Sequence, residues 1–195
     1  FDSYPQVGSV KISAHETKWT RLTVAGKPHA HSFLLDGNGK PSAEVSGVRG
    51  GEMAVRSGID GFTFMKTTES GWAGYAKDPY TTIPETHDRM CATSMEASWR
   101  WRAVPKDYAA ANAKVLDTML EVFATTYSAS VQDSLYRMGE AALAAVPEVL
   151  DITMACPNKH YLLINLSPFG LDNNNQVFLP TDEPHGQIEC TVGRG

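Results

Sequence analysis

Residues 95–147, MEASWRWRAVPKDYAAANAKVLDTMLEVFATTYSASVQDSLYRMGEAALAAVP, place one strand pattern and two helix patterns in immediate succession. In Met95–Val104, Ala97, Trp99 and Trp101 alternate with Ser98, Arg100 and Arg102. A period of two is that of a strand with one buried and one polar face. From Tyr108 to Thr126 the apolar residues Val115, Leu116, Met119, Leu120, Val122 and Phe123 recur at three- and four-residue spacing. They form one stripe along a helix. Ser130–Val146 repeats the pattern with Val131, Leu135, Met138, Ala142 and Val146, and Pro147 ends it. Ser130 with Asp133 has the spacing of a capping box, with Ser128 as an alternative N-cap.

Strand patterns lie on both sides of the helices. Upstream, Gly58–Thr68 reads as a strand, followed by a long aromatic loop, SGWAGYAKDPYTTIPETHDR. Loops of such length are usually functional or disordered, and the aromatic content opposes disorder. Downstream, Leu150–Ala155, Tyr161–Leu166 and Gln187–Val192 read as strands, with a short extra at Val177–Leu179. The order strand, strand, helix, helix, strand, strand predicts an α+β fold with both helices on one face of an antiparallel sheet. Before it, Val10–Leu22, His31–Leu35 and Ala43–Val48 predict a three-stranded piece of sheet, broken by turns at AGKPHA and DGNGK. A piece that small needs a partner, and a new unit is read from near Gly50. A strand that begins at Gly8, so soon after Phe1, predicts a chain with more sequence upstream.

Composition narrows the function classes. Of 195 residues, 42% are hydrophobic and 20% charged, as in ordinary globular proteins. No apolar run has the roughly 18–20 residues of a membrane helix. A net charge of −5 with scattered Lys and Arg argues against a nucleic-acid partner. Cys91, Cys156 and Cys190 are far apart and odd in number, so a reducing compartment is expected and neither a zinc site nor a fully paired disulfide framework is.

Four places bear chemistry on residue type alone. Asn158-Lys159-His160 pairs an amide with an imidazole able to relay protons, or is an ordinary turn with a surface histidine. Val131-Gln132 opens a helix, where unpaired N–H groups and the dipole suit an anion and a Gln amide reads an amide-like edge. Gln132 is otherwise an exposed first-turn residue. Arg89 can clamp a planar anion or pair with Asp88 or Glu85, and Trp72 in the same loop offers a stacking face or simply packs the loop. His29 and His31 share a strand face, as metal ligands do, with no third ligand nearby. No nucleophile elbow, P-loop, H-E-x-x-H or dinucleotide fingerprint is present.

These motifs resemble those of the urate oxidase (uricase) family. GFTFMKTTESGWAGYAKDPYTTIPETHDR is similar to that family's loop from a K-S/T-T motif through D-x-Y-T-T to a terminal D-R. YSASVQDSLYRM resembles its S-x-S-V-Q helix start, MACPNKHYLLINL its P-N-K-H motif, and VFLPTDEPHGQIECTVGR its last strand; KPHAHSF also fits. The resemblance implies tandem T-fold (tunnelling-fold) domains in a homotetramer, with active sites between subunits. Residues 1–49 would be the second half of an N-terminal T-fold domain and 50–195 the C-terminal one. It implies oxidation of urate by O₂ to 5-hydroxyisourate and hydrogen peroxide without metal or organic cofactor. Arg89, Gln132 and the Val131 amide would bind urate, Trp72 would stack on it where the family has Phe, Asn158 would hold O₂ or water, and His160 would relay protons.

The family's catalytic Lys, and a Thr and an Asp from a neighbouring subunit, would precede Phe1. Without a terminal S-K-L the cytoplasm is expected. A non-catalytic purine-binding or assembly subunit, and a metal-dependent pterin or purine enzyme using His29 and His31, are the alternatives.

Overall fold

A computed structural model describes residues 3–194, and among these it shows eight strands and two α-helices. Six strands form one antiparallel sheet in the order β1 (Ser9–His15), β4 (Lys40–Val48), β5 (Met53–Lys66), β6 (Cys91–Trp101), β7 (Val149–Leu163) and β8 (Phe178–Gly193). Helices α1 (Tyr108–Thr125) and α2 (Val131–Ala145) follow β6 in the chain and pack on one face. The expected α+β architecture is the one observed.

Alternation decides which face is covered. On the helix side, Met95, Ala97 and Trp99 of β6 and Ile152, Met154 and Cys156 of β7 are buried against Val115 and Met119 of α1 and Leu135 and Met138 of α2. The Trp99 indole is 1% exposed, yet its N–H is satisfied by Asn112 Oδ1 at 2.9 Å. The opposite face carries no helix among the described residues, and its strands present polar partners to one another. Lys11 meets Glu44 at 2.7 Å, Thr63 bonds Ser94 at 3.0 Å, and Thr153 meets Thr191 at 2.9 Å. Arg100 grips Asp151 through both carboxylate oxygens, which raises its pKa further. One face is thus dry and the other wet, as antiparallel sheets allow.

Both helices start at side-chain caps. Asp107 accepts from the amides of Ala109 and Ala110, and Ser130 from that of Asp133 at 3.1 Å. The capping box is only half made, because the Asp133 carboxylate turns to Arg137 at i+4. Ser128 is no cap; it is buried and receives the Ser134 hydroxyl at 2.8 Å.

Several strands depart from the sequence reading. Val10–Leu22 is two strands, since the chain changes partners after His15: β1 pairs with β4, while β2 (Lys18–Val24) pairs with β3 (Lys27–Asp36). The three-stranded piece therefore does not form. β2 and β3 make a separate two-stranded ribbon, and β4 joins the large sheet through β5, whose pairing spans Arg49 and Gly50. Leu150–Ala155 and Tyr161–Leu166 are parts of the single strand β7, and Val177–Leu179 and Gln187–Val192 are both in β8. No helix among the described residues is long and apolar enough to cross a membrane.

Candidate functional site

A cavity of about 570 Å³ opens where the 70–90 loop, the start of α2 and the outer halves of β7 and β8 meet. Trp72, Arg89, Val131, Gln132, Asn158 and His160 all line it. The six residues come from three separated stretches, so the fold alone brings them together.

Asn158 and His160 are not in a loop between strands. They lie within β7, at the point where its pairing with β8 jumps: Asn158 faces Gly186, but His160 faces Thr181. Surplus residues of β8 bulge out there, and Lys159 bonds Asp182 among them at 3.1 Å. Alternation puts Asn158 and His160 on the cavity side together. Asn158 Oδ1 is buried without a hydrogen-bond partner among the described residues, and so is an acceptor facing a cavity with nothing to accept from. The half-buried His160 ring likewise has no side-chain partner among them.

Val131 and Gln132 are the first two residues of α2. Ser130 satisfies the amide of Asp133, which leaves the N–H groups of the first turn toward the cavity unpaired by the helix. Val131 is 7% exposed, whereas the Gln132 side chain is exposed.

Arg89 ends the loop half-buried. Its Nε donates to the Gly71 carbonyl at 3.2 Å, and it forms no ion pair among the described residues. The neighbours that would neutralise it are engaged elsewhere. Asp88 accepts from Thr68 at 2.9 Å, and Glu85 is held by Lys77 at 3.0 Å and the Gly74 amide. An arginine without a counter-ion among the described residues, sharing a cavity with the positive end of a helix, is a candidate anion site. Trp72 exchanges both backbone hydrogen bonds with Thr86, and its ring stacks on Tyr75 with centroids 5.3 Å apart.

The sequence reading missed the apolar walls, Ile83, Pro84, Leu162 and Ile188, as well as Thr86 and Gly186. Leu162 follows His160 by two along β7, so its side of the strand was available from alternation once β7 was known to be continuous. The walls leave few polar groups, each of which then matters for orientation. Two reactive-looking groups are structural. Burial pushes the Cys156 thiol up to about 12, and burial lowers the Lys66 pKa while its amine donates to the Phe123 and Thr126 carbonyls at the end of α1. His29 and His31 are exposed on β3, and no group of three His, Cys, Asp or Glu among the described residues could hold a metal.

An antiparallel sheet with two adjacent helices on one face and a cavity at the mouth of its strands defines an α+β protein of the tunnelling-fold class. The model of one family, uricase, matches residues 1–46 and 55–189. The uricase of Arthrobacter globiformis is 40% identical over 193 residues, covering 99% of this chain and 62% of the relative. That of Aspergillus flavus is 37% identical over 207 residues, covering 99% and 68%. A crystal structure of the Arthrobacter globiformis uricase superposes with a TM-score of 0.91 at 37% identity, over 99% of this chain and 66% of that one. Bacillus sp. TB-90 urate oxidase, at 20% identity, shares the fold with a TM-score of 0.83 over 99% of this chain and 68% of that one. The chain belongs to the uricase family, and it spans about two-thirds of the length of these relatives.

Proposed function

We propose that this chain forms the urate-binding side of a urate oxidase. The observation that carries the proposal is Arg89, half-buried and without an ion pair among the described residues, facing the same cavity as the free amides of α2. Urate is a planar monoanion with alternating N–H and C=O edges. Arg89 presents two parallel donors to one edge. The Gln132 amide and the Val131 N–H meet the other, and Trp72 covers the ring face. The ring is held by charge and geometry together, which lowers the entropic cost of reaction.

On this reading Asn158 and His160 stand on the reacting side. Overall, urate, O₂ and water give 5-hydroxyisourate and hydrogen peroxide: two electrons leave the purine, dioxygen takes them and is reduced to peroxide, and the oxygen of water bonds to the ring. Urate must first lose a proton to become a strong enough reductant. His160 moves that proton, and Asn158, whose Oδ1 has no partner among the described residues, holds O₂ or water over the ring. The reaction draws on no organic cofactor or metal, because the dianion itself supplies the electrons.

The reading also includes assembly. β1 and β8 are the edges of the six-stranded sheet, with open hydrogen-bonding rims that further copies of the chain would pair. Residues 1–49 would close one T-fold domain and 50–195 form the next, in a homotetramer with sites between subunits. A purine-binding subunit without turnover is the other outcome to be distinguished.

The test is urate consumption by the purified, EDTA-treated chain, followed as loss of urate absorbance with peroxide measured alongside. Turnover supports the oxidase. Saturable urate binding lost in Arg89→Ala, with no turnover, supports the purine-binding subunit. Neither turnover nor binding overturns the proposal.

A further inference from the structure

Three segments that carry the anion-binding groups are tied together at one point behind the cavity. The central one is residues 69–72. On one side the Gly71 amide donates to Ser128 O at 2.8 Å, and Ser128 N donates to Glu69 O at 2.9 Å. On the other, Arg89 N donates to Ser70 O at 2.9 Å, and Trp72 and Thr86 exchange hydrogen bonds. Ser128 is in turn fixed to the first turn of α2, because the buried Ser134 hydroxyl reaches both Ser128 Oγ at 2.8 Å and Ser130 O at 3.0 Å. On the main chain, Arg89 and the α2 N-terminus are thus separate pieces joined through residues 69–72.

One side chain spans all three. Tyr127, in the α1–α2 connection, passes over Gly71 and donates its hydroxyl to His87 O at 2.9 Å. Gly71 is buried, and its lack of a side chain is what makes the passage possible. A Cβ there would lie inside the van der Waals radius of the Tyr127 hydroxyl and 3.0 Å from Thr86 O. Tyr127 itself is 42% exposed, so little of the hydrophobic core depends on it.

We propose that Tyr127 is a positioning residue: its hydroxyl, bonded across Gly71 to His87 O, sets the spacing between Arg89 and the N-terminus of α2. This rests on the urate-binding reading given above. Substrate is bridged between an arginine on one segment and amides on another, so its affinity depends on how tightly that spacing is held. A phenyl ring keeps the packing and loses only the tie.

The experiment uses the full chain and reads urate binding by quenching of tryptophan fluorescence. Tyr127→Phe is expected to weaken urate about three- to tenfold, the worth of one net hydrogen bond. In an Arg89→Lys background, where binding is weakened but still measurable, the same change is expected to have a much smaller effect than in the wild type, because it acts through the Arg89 guanidinium. A purely structural role would instead add in full. Gly71→Ala is expected to weaken binding more in the wild-type background than beside Tyr127→Phe, where the obstructing oxygen is gone.

Hydrogen exchange gives a ligand-free reading of the same device. The Gly71 and Arg89 amides are expected to exchange faster in Tyr127→Phe, with those of β6 unchanged. Wild-type affinity in Tyr127→Phe, or full additivity with Arg89→Lys, overturns the proposal. If the wild type binds no urate, the urate reading falls, and unchanged exchange at Gly71 and Arg89 then overturns the positioning role.

Discussion

Gly139 of α2 faces Val192 of β8 with no room between them for a side chain. A Cβ on Gly139 would stand 2.6 Å from Val192 Cγ2 and 3.2 Å from Met154 Cε. Glycine inside a helix costs about 1 kcal/mol relative to alanine, so its presence here records a close approach of helix and sheet. The approach matters for the site, because α2 carries Val131 and Gln132 at its other end.

Gly139→Ala therefore sets propensity against packing. The added methyl meets branched carbon atoms of a buried valine, which cannot swing aside freely. Overpacking of this kind costs about 1–3 kcal/mol, more than the helix gains. The expected result is a net loss of about 1–2 kcal/mol in urea unfolding, with the midpoint lowered and the slope unchanged. A more stable variant would mean that α2 slides outward without cost.

Lys66 is the second point where a polar group decides helix placement. Its ammonium caps α1 by donating to Thr126 O at 2.8 Å and Phe123 O at 3.2 Å, and lies 5.1 Å from the Phe123 ring centroid. Lys66→Met keeps the length and loses the donors, with an expected loss of about 1–2 kcal/mol. Burial lowers this lysine's pKa in the fold from the usual 10.5. The folded state thus binds fewer protons than the unfolded state between the two values, and stability contributed at this residue rises with pH across that interval. Chemical unfolding of wild type and Lys66→Met at several alkaline pH values should show the gap widening in favour of wild type toward pH 10.5. A gap that narrows would contradict the direction of the shift.

Much of this arrangement was legible in the sequence, and what was not has a physical cause. Ala97 and Trp99 are buried where alternation placed them, and Val115, Met119 and Phe123 face the sheet as their spacing predicts. The six candidate site residues were singled out by residue type and family resemblance, and all line one cavity. The change of partner after His15 was not legible, because both strands continue the same polar alternation and only their partners differ. Pro157 and Asn158 looked like a turn, since proline lacks the N–H of a regular ladder. Here the proline sits beside a bulge, one of the places where a strand accommodates it. The apolar walls were missed for the same reason, because Leu162 acquires a side only when β7 is continuous.

Ser130→Ala tests the link between the helix cap and the anion site. Ser130 Oγ accepts the Asp133 amide at 3.1 Å. Loss of a serine cap costs about 1 kcal/mol, and the first turn of α2 frays. Stability should fall by about that amount, while urate affinity falls further than a distant mutation of equal cost would produce. Isothermal titration of urate, compared with Asp107→Ala, which removes the cap of α1 at a similar expected cost, makes the distinction. Equal affinities in the two variants would mean that the first turn is held by packing of Val131 alone.

Arg89→Lys asks whether the guanidinium's shape or only its charge is used. A lysine keeps the positive charge but cannot present two parallel donors in a plane, nor donate to Gly71 O as Arg89 Nε does at 3.2 Å. Asp88 and Glu85 are already engaged by Thr68 and Lys77, so a lysine at position 89 would find no new carboxylate partner within the loop. If planar recognition dominates, urate binding should weaken by about 1.5–3 kcal/mol, or roughly ten- to a hundredfold, the worth of a charge-assisted hydrogen bond. Circular dichroism should be unchanged, since Arg89 contributes nothing to the core. If charge alone dominates, the lysine variant should keep near wild-type affinity at low salt and lose it steeply as salt rises. The titration at two ionic strengths separates the two, and near wild-type affinity at both would remove Arg89 from the site.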